Sequence, residues 1–354
     1  MCCRSVDRDS NFFEALGGIK TCHELSVAFY ARVAQDPVLR PLFPSSSFRC
    51  AIEALTAFLV QFLGGPCEYS QRRWSLSLRE AHQRFKIGAQ ERDAWMKNMV
   101  AALEDVRIAA PARDVLHGFF EQASADMVNR PAAPCSVKSS RLDPEIAGRW
   151  NVHQQLEEAV AAVRRGDAQG ATALAANPDV QNYFRRDRAA WLSLLAIMSG
   201  AVTEYVRGKL LADPGLAQER YTYGRTLLHE TAGQGSLATV ELLLELGADP
   251  NAADQFGHVP LYFVGNQCHA ATGPEVVRAL VRGGANVNAR GGVQRCTALH
   301  MAARRGNVRV AEALLACGAD IEARDKRGDT PLDRAVNCRK KEMAAFFTER
   351  GSGK

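Results

Sequence analysis

SLREAHQRFKIG, residues 77–88, sets its one histidine, His82, on the helical face that also carries Leu78 and Phe85. An apolar residue four positions before and another three after aim such a histidine at a non-polar interior. There it is either hydrogen-bonded or a ligand, because an unsatisfied buried imidazole is costly. Taken alone, a satisfied core histidine is the commoner outcome. The surroundings shift that balance, because they are aromatic and regularly placed. Upstream lie Phe29-Tyr30 in LSVAFYARV, Phe43 in LRPLFP, and the helical run IEALTAFLVQFLGGP. Downstream, Trp95 sits in ERDAWMKNMVAAL. Aromatic walls, one imidazole and polar donors all fall within about one small domain's length.

Short motifs follow one another in order along this stretch. They are Gly17-Gly18 in FFEALGGIKT, the Phe29-Tyr30 pair, DPVLRPLFP, LGGP from Leu63 to Pro66, Tyr69-Ser70, the LR-x-x-H-x-x-F-x-I run from Leu78 to Ile87, and ERDAW from Glu91 to Trp95. On these motifs residues 11–131 resemble a truncated haemoglobin of the second group. The resemblance implies an all-α, two-on-two globin fold that holds haem b, with one proximal histidine and a distal pocket that selects the gas. It makes His82 the iron ligand and Tyr30 and Trp95 the hydrogen donors to a bound gas. Phe43 would stack on the macrocycle, Leu55 and Phe58 would wall the distal side, and Phe85 and Ile87 would join the haem contacts. Ala51 falls where many globins carry a distal histidine, so a small residue there leaves the entrance open. Arg79, Arg84 and Lys86 are the nearest cations for the propionates. Without the resemblance, Tyr30 and Trp95 read equally as core aromatics, and Arg79 and Lys86 as cations at a solvated helix end. Two departures stand out. Many relatives carry a His-Pro pair before the proximal segment, where this chain reads QRRWSLSLRE with Trp74. Some relatives have tyrosine where Phe43 stands, which leaves Tyr30 and Trp95 as the donors.

The second half repeats. TLLH at 226–229, VPLY at 259–262, TALH at 297–300 and TPLD at 330–333 begin successive units at offsets of 33, 38 and 33 residues. LLLELGADPNA, LVRGGANVNA and LLACGADIEA close three of them, at Ala252, Ala289 and Ala323. This pattern resembles the ankyrin repeat, a tight turn plus two antiparallel helices, and implies an α-solenoid that binds a protein partner. The unit of 38 has extra residues around GNQCHAATG, 265–273, expected as a lengthened helix–helix turn. His229 and His300 recur at one position of their units; hydrogen bonding to neighbouring turns is expected rather than metal ligation. Gly166, Gly200 and Gly235 fall 34 and 35 residues apart, which suggests degenerate units upstream. The expected layout is a flexible tail at 1–10, the globin domain at 11–131, a linker at 132–150 and about six helix pairs over 151–350, polar caps closing the array.

Composition agrees with two cores. The chain has 354 residues, of which 47% are hydrophobic and 23% charged. Its net charge of +5 gives no argument for nucleic acid. No apolar run reaches the roughly 18 residues of a membrane span, and MCCRSVDRDSN lacks a signal peptide's apolar core and the glycine needed for myristoylation. Ten cysteines are scattered without a CxxC pair, so reduced thiols in a cytoplasmic protein are expected, with Cys2-Cys3 in an inert tail. The resulting expectation is a haem globin that reversibly binds oxygen or another diatomic gas, tethered to a protein-binding array. The candidate tips of that array are Gln255-Phe256, Val293-Gln294 and Lys326-Arg327. A nitric oxide dioxygenase or peroxidase in the same pocket, and a haem-less scaffold, are the alternatives. No Gly-rich dinucleotide turn supplies the enzyme's reductase partner.

Overall fold

Gly17, at φ 107, separates the short helix α1 (Phe12–Leu16) from α2 (Gly18–Val33), so the first glycine of the GG pair is a hinge between two helices. The computed structural model describes residues 12–43, 47–67, 69–70, 77–130 and 143–351. The tail with Cys2-Cys3, Trp74 and most of the expected linker lie outside the described residues. Those described are helical, with one isolated bridge, Gly291 to Cys296, and no strand. They form two compact units.

In the first unit α2 packs on α3 (Arg49–Phe62), α5 (Ala89–Asp105) packs on α6 (Ala110–Asp126), and α2 also crosses α5. This is the two-on-two globin arrangement. A five-residue helix, α4 (Leu78–His82), precedes α5. The core face of α2 is Cys22, Leu25, Phe29 and Val33, spaced three or four apart, so a single helical stripe is buried. Against it lie Leu59, Val60 and Phe62 of α3, Met99 and Leu103 of α5, and Leu116, Phe119 and Phe120 of α6.

The same core takes in residues from beyond the expected globin boundary. Helix α7 (Pro144–Arg165) begins inside the segment expected as linker, and Ile146 and Trp150 are buried in the globin core. Trp150 packs edge-on to Phe119 at 5.6 Å and to Phe62 at 6.0 Å between ring centroids. The tether expected over 132–150 is thus corrected: from Pro144 it is helix, drawn in by the apolar area these two side chains bury. Residues 144–158 and 177–187 group with the globin, not with the array that was expected to start at 151. The second of these segments carries α9 (Pro178–Arg186), preceded by α8 (Ala168–Ala175). Asp187, which follows α9, is 1% exposed and accepts from Gln61 Nε2, Ser70 Oγ and Tyr183 Oη, each at 2.8 Å. Three donors on one buried carboxylate offset its desolvation.

The second unit is a stack of helix pairs. They are α10 (Arg188–Met198) with α11 (Thr203–Ala212), α12 (Leu227–Gln234) with α13 (Leu237–Glu245), α14 (Pro260–Gln267) with α15 (Gly273–Arg282), α16 (Ala298–Arg305) with α17 (Val308–Ala316), and α18 (Pro331–Asn337) with α19 (Lys341–Gly351). Residues 159–176, the end of α7 and α8, also belong to this unit, whereas the interposed α9 belongs to the other. Each first helix packs on the first helix of the next pair, as a solenoid requires. Gly247, Gly284 and Gly318 take φ of 83, 96 and 88 where the GAD and GAN motifs end a helix. The extra residues at 265–273 do lengthen the helix–helix turn, which Asn307 pins by donating to the Cys268 carbonyl at 2.7 Å.

Candidate functional site

His82 is the last residue of α4, and its Nδ1 lies 2.7 Å from the Leu78 carbonyl oxygen. A carbonyl only accepts, so Nδ1 donates, and in the neutral ring the lone pair is then on Nε2. That is the tautomer a metal-binding imidazole needs, oriented by a backbone acceptor behind it. A five-residue helix has little stability of its own; the surroundings hold it from both ends. At its start Ser77 Oγ accepts from the Glu80 amide at 2.9 Å and donates to Glu157 Oε2 at 2.7 Å, and the Arg79 amide donates to Glu157 Oε1 at 3.1 Å. Past its end Asn129 Nδ2 donates to the carbonyls of Phe85, at 2.8 Å, and His82, at 3.3 Å, while its Oδ1 accepts from the Ile87 amide at 3.0 Å.

A chain of rings joins His82 to the expected distal donors. Centroids lie 6.0 Å apart from His82 to Phe85, 6.0 Å from Phe85 to Phe43, 5.7 Å from Phe43 to Tyr30, 5.0 Å from Tyr30 to Phe29 and 5.3 Å from Phe29 to Trp95. Phe48, not anticipated from sequence, stacks on Tyr30 at 5.4 Å and meets Phe43 edge-on at 5.4 Å. Burial pushes the Tyr30 phenol up to about 12, so at neutral pH it keeps its proton and remains a donor. Neither its hydroxyl nor the Trp95 indole N–H makes a hydrogen bond to another described residue.

Other expected contacts sit elsewhere. Ala51 and Leu55 are half-buried on α3, and Leu55 packs on the globin core. Phe58 turns to Phe62, Tyr69, Phe119 and His153 rather than to the ring chain. Arg79 lines a cavity of about 270 Å³ with Asp126, Trp150, His153 and Glu157 among its walls. Arg84 lies over the Phe85 ring at 4.7 Å, and Lys86 is exposed. Glu157 and Asn129 were not foreseen. The His153–Glu157 spacing of four on one helix was a readable pair, whereas nothing local marks Asn129.

Among the described residues, an imidazole held through Nδ1, a half-buried aromatic wall and two donors without a hydrogen-bond partner fit a haem with a single protein ligand. In the repeats the equivalent histidines are committed. His229 Nδ1 accepts from the Thr226 amide at 3.0 Å, and its Nε2 meets the His258 carbonyl at 3.2 Å. His300 repeats this with Thr297 and the Asp329 carbonyl, at 3.3 and 3.0 Å. Burial holds both imidazoles below their usual range, His229 at about 4. The turn tips join in series: the Gln255 amide donates to Tyr223, that of Gly292 to Phe256 and that of Lys326 to Gln294. Phe256 and Val293 at these tips are exposed. Among the described residues no cluster of His, Cys, Asp and Glu is arranged to hold a metal ion by itself, and no helix is long and apolar enough to cross a membrane.

Comparison with known proteins bears on both halves. Residues 11–129 match the family described as bacterial-like globin, and residues 223–255 and 267–353 match ankyrin repeats. The chain is 36% identical over 121 residues to the group 2 truncated hemoglobin YjbI of Bacillus subtilis, a match covering 34% of this chain and 90% of that protein. It is 36% identical over 153 residues to two-on-two hemoglobin-3 of Arabidopsis thaliana, covering 42% of this chain and 87% of that protein. The solved hemoglobin of Thermobifida fusca shares 42% identity, covers 35% of this chain and 100% of its own, and has a TM-score of 0.34.

Proposed function

Since this chain belongs to the group 2 truncated haemoglobins and carries ankyrin repeats behind its globin domain, we propose that it is a haem protein that reversibly binds oxygen or another diatomic gas and meets a protein partner through the repeats. Haem b is the group proposed. When bound, it supplies an open coordination position for the gas. The observation that carries the proposal is His82, proton on Nδ1 and lone pair on Nε2, at one end of a ring chain that reaches Tyr30 and Trp95.

The chain's residues then have distinct tasks. His82 presents Nε2 to the iron while the Leu78 carbonyl fixes its ring. Phe43 and Phe85 offer apolar faces to the macrocycle, with Ala51, Leu55 and Ile87 as further contacts. Tyr30 and Trp95 direct an O–H and an N–H at the gas, and Arg79 is the proposed cation for a propionate. The exposed turn tips meet the partner. The thiols of Cys22, Cys67, Cys268, Cys296, Cys317 and Cys338 suit a reducing cytoplasm.

The test is a spectrum. Expressed with ample haem, the full chain shows a Soret band that shifts on oxygenation, and His82→Ala loses the band while keeping its helical circular dichroism. A well-folded but colourless chain overturns the proposal.

A further inference from the structure

We propose that Glu157, on a helix beyond the residues 11–129 that match the bacterial-like globin family, is a positioning residue for the proximal histidine: it holds the first turn of α4 and thereby sets how the His82 imidazole is presented. The proposal rests on His82 as the haem ligand. Its geometry is independent of that reading.

The acceptor that orients His82 is the Leu78 carbonyl. Leu78 is flanked by Ser77 and Arg79, and Glu157 grips both, one carboxylate oxygen on the Ser77 hydroxyl at 2.7 Å and the other on the Arg79 amide at 3.1 Å. Fixing the two neighbours fixes the peptide between them. Two charge-assisted bonds from a single carboxylate add to the few hydrogen bonds that a five-residue helix makes by itself.

The platform behind Glu157 is packed. Its side chain is 12% exposed, and His153 Nε2 lies 3.3 Å from Oε1. The His153 ring stacks on Trp150 at 5.1 Å, and Trp150, 3% exposed, is wedged against Phe62 and Phe119. Gln154 of the same helix donates to Asp126 of α6 at 3.2 Å. Helix α7 is therefore seated in the globin core on one face and extends Glu157 to the histidine helix from there. Asn129 secures the opposite end of α4, so the carboxylate and the amide form a two-point clamp on the element that carries His82.

The experiment uses the haem-loaded full chain with Glu157→Ala, Glu157→Gln and Ser77→Ala. Two readouts are taken: the iron–histidine stretching band of the ferrous, gas-free protein, and amide hydrogen exchange. In Glu157→Ala the band shifts or broadens, and the amides of Arg79 and Glu80 exchange at least about tenfold faster, while the buried α2 amides keep their rates. Glu157→Gln, which keeps one oxygen to accept from the Arg79 amide and turns an NH2 toward the Ser77 hydroxyl, lies between the parent and the alanine variant. Ser77→Ala moves the same band in the same direction. If Glu157→Ala fails to fold, Glu157→Gln and Ser77→Ala decide the matter. Parent-like band and exchange in the folded variants overturn the proposal. Faster exchange at 79–80 in a chain that binds no haem leaves the clamp standing and sinks the assignment of His82 instead.

Discussion

Trp150→Ala tests whether α7 belongs to the globin core. The side chain is 3% exposed and touches Phe62, Phe119 and His153. Burying roughly 200 Å² of indole at about 25 cal/mol per Å² stabilises the core by about 5 kcal/mol. Against this, Nε1 is buried with no hydrogen-bond partner among the described residues, and removing that orphan donor returns about 1–3 kcal/mol. The net loss is about 2–4 kcal/mol, or roughly a 30-fold to 1,000-fold rise in the population of the opened globin unit. Cys22 is a built-in reporter: it is fully buried on α2, and burial pushes its thiol up to about 12, so it reacts only on opening. Native-state thiol labelling followed by peptide mass spectrometry then gives a Cys22 rate raised by that factor, with Cys268 in the repeats unchanged and exposed Cys50 as the internal standard. A Cys22 rate equal to the parent's in the folded variant refutes the placement of α7 in this core.

Other consequences are separable by assay. Tyr30→Phe removes a donor without a protein partner, and the gas dissociation rate measured by stopped flow rises about tenfold, the worth of one hydrogen bond. His229 is depressed to about 4 by burial against an ordinary 6.5, so the unfolded chain binds the extra proton between these values. Stability of the repeats is therefore full above pH 6.5 and falls toward pH 4, by up to about 3 kcal/mol, and His229→Gln flattens that limb in thermal unfolding. At Gly265 an added Cβ runs into the Ala298 carbonyl of the next repeat, so Gly265→Ala destabilises the array by about 1–3 kcal/mol, visible as faster labelling of buried Cys296 with Cys22 unaffected.

What was readable in the chain divides by range. The repeats were plain because each unit carries its own start, Thr226 with His229 or Thr297 with His300, and its own stop at Gly247 or Gly318, all within about a helical turn of their partners. His82 was plain for a similar reason, since its apolar flanks and its hydrogen-bond partner Leu78 are no more than four residues away. The register of α2, with Cys22, Leu25, Phe29 and Val33 inward, follows from helical spacing alone.

Membership of the unit was not readable. Residues 178–186 scan as a short amphipathic helix in a run of repeats, yet Gln61 and Ser70, more than a hundred positions earlier, tie them to the globin through Asp187. Pro144 to Trp150 followed a Pro- and Ser-rich stretch and read as tether, yet two apolar side chains found the globin core. The sequence by itself determined the helices, the repeat period and the setting of His82, because those depend on periodicity and on bonds a few residues long. The tertiary structure alone decided what holds that histidine and where the globin ends. Those answers lie in single side chains, the polar Asn129, Glu157 and Asp187 and the apolar Ile146 and Trp150, whose partners are distant in the chain, and an isolated long-range contact leaves no period to read.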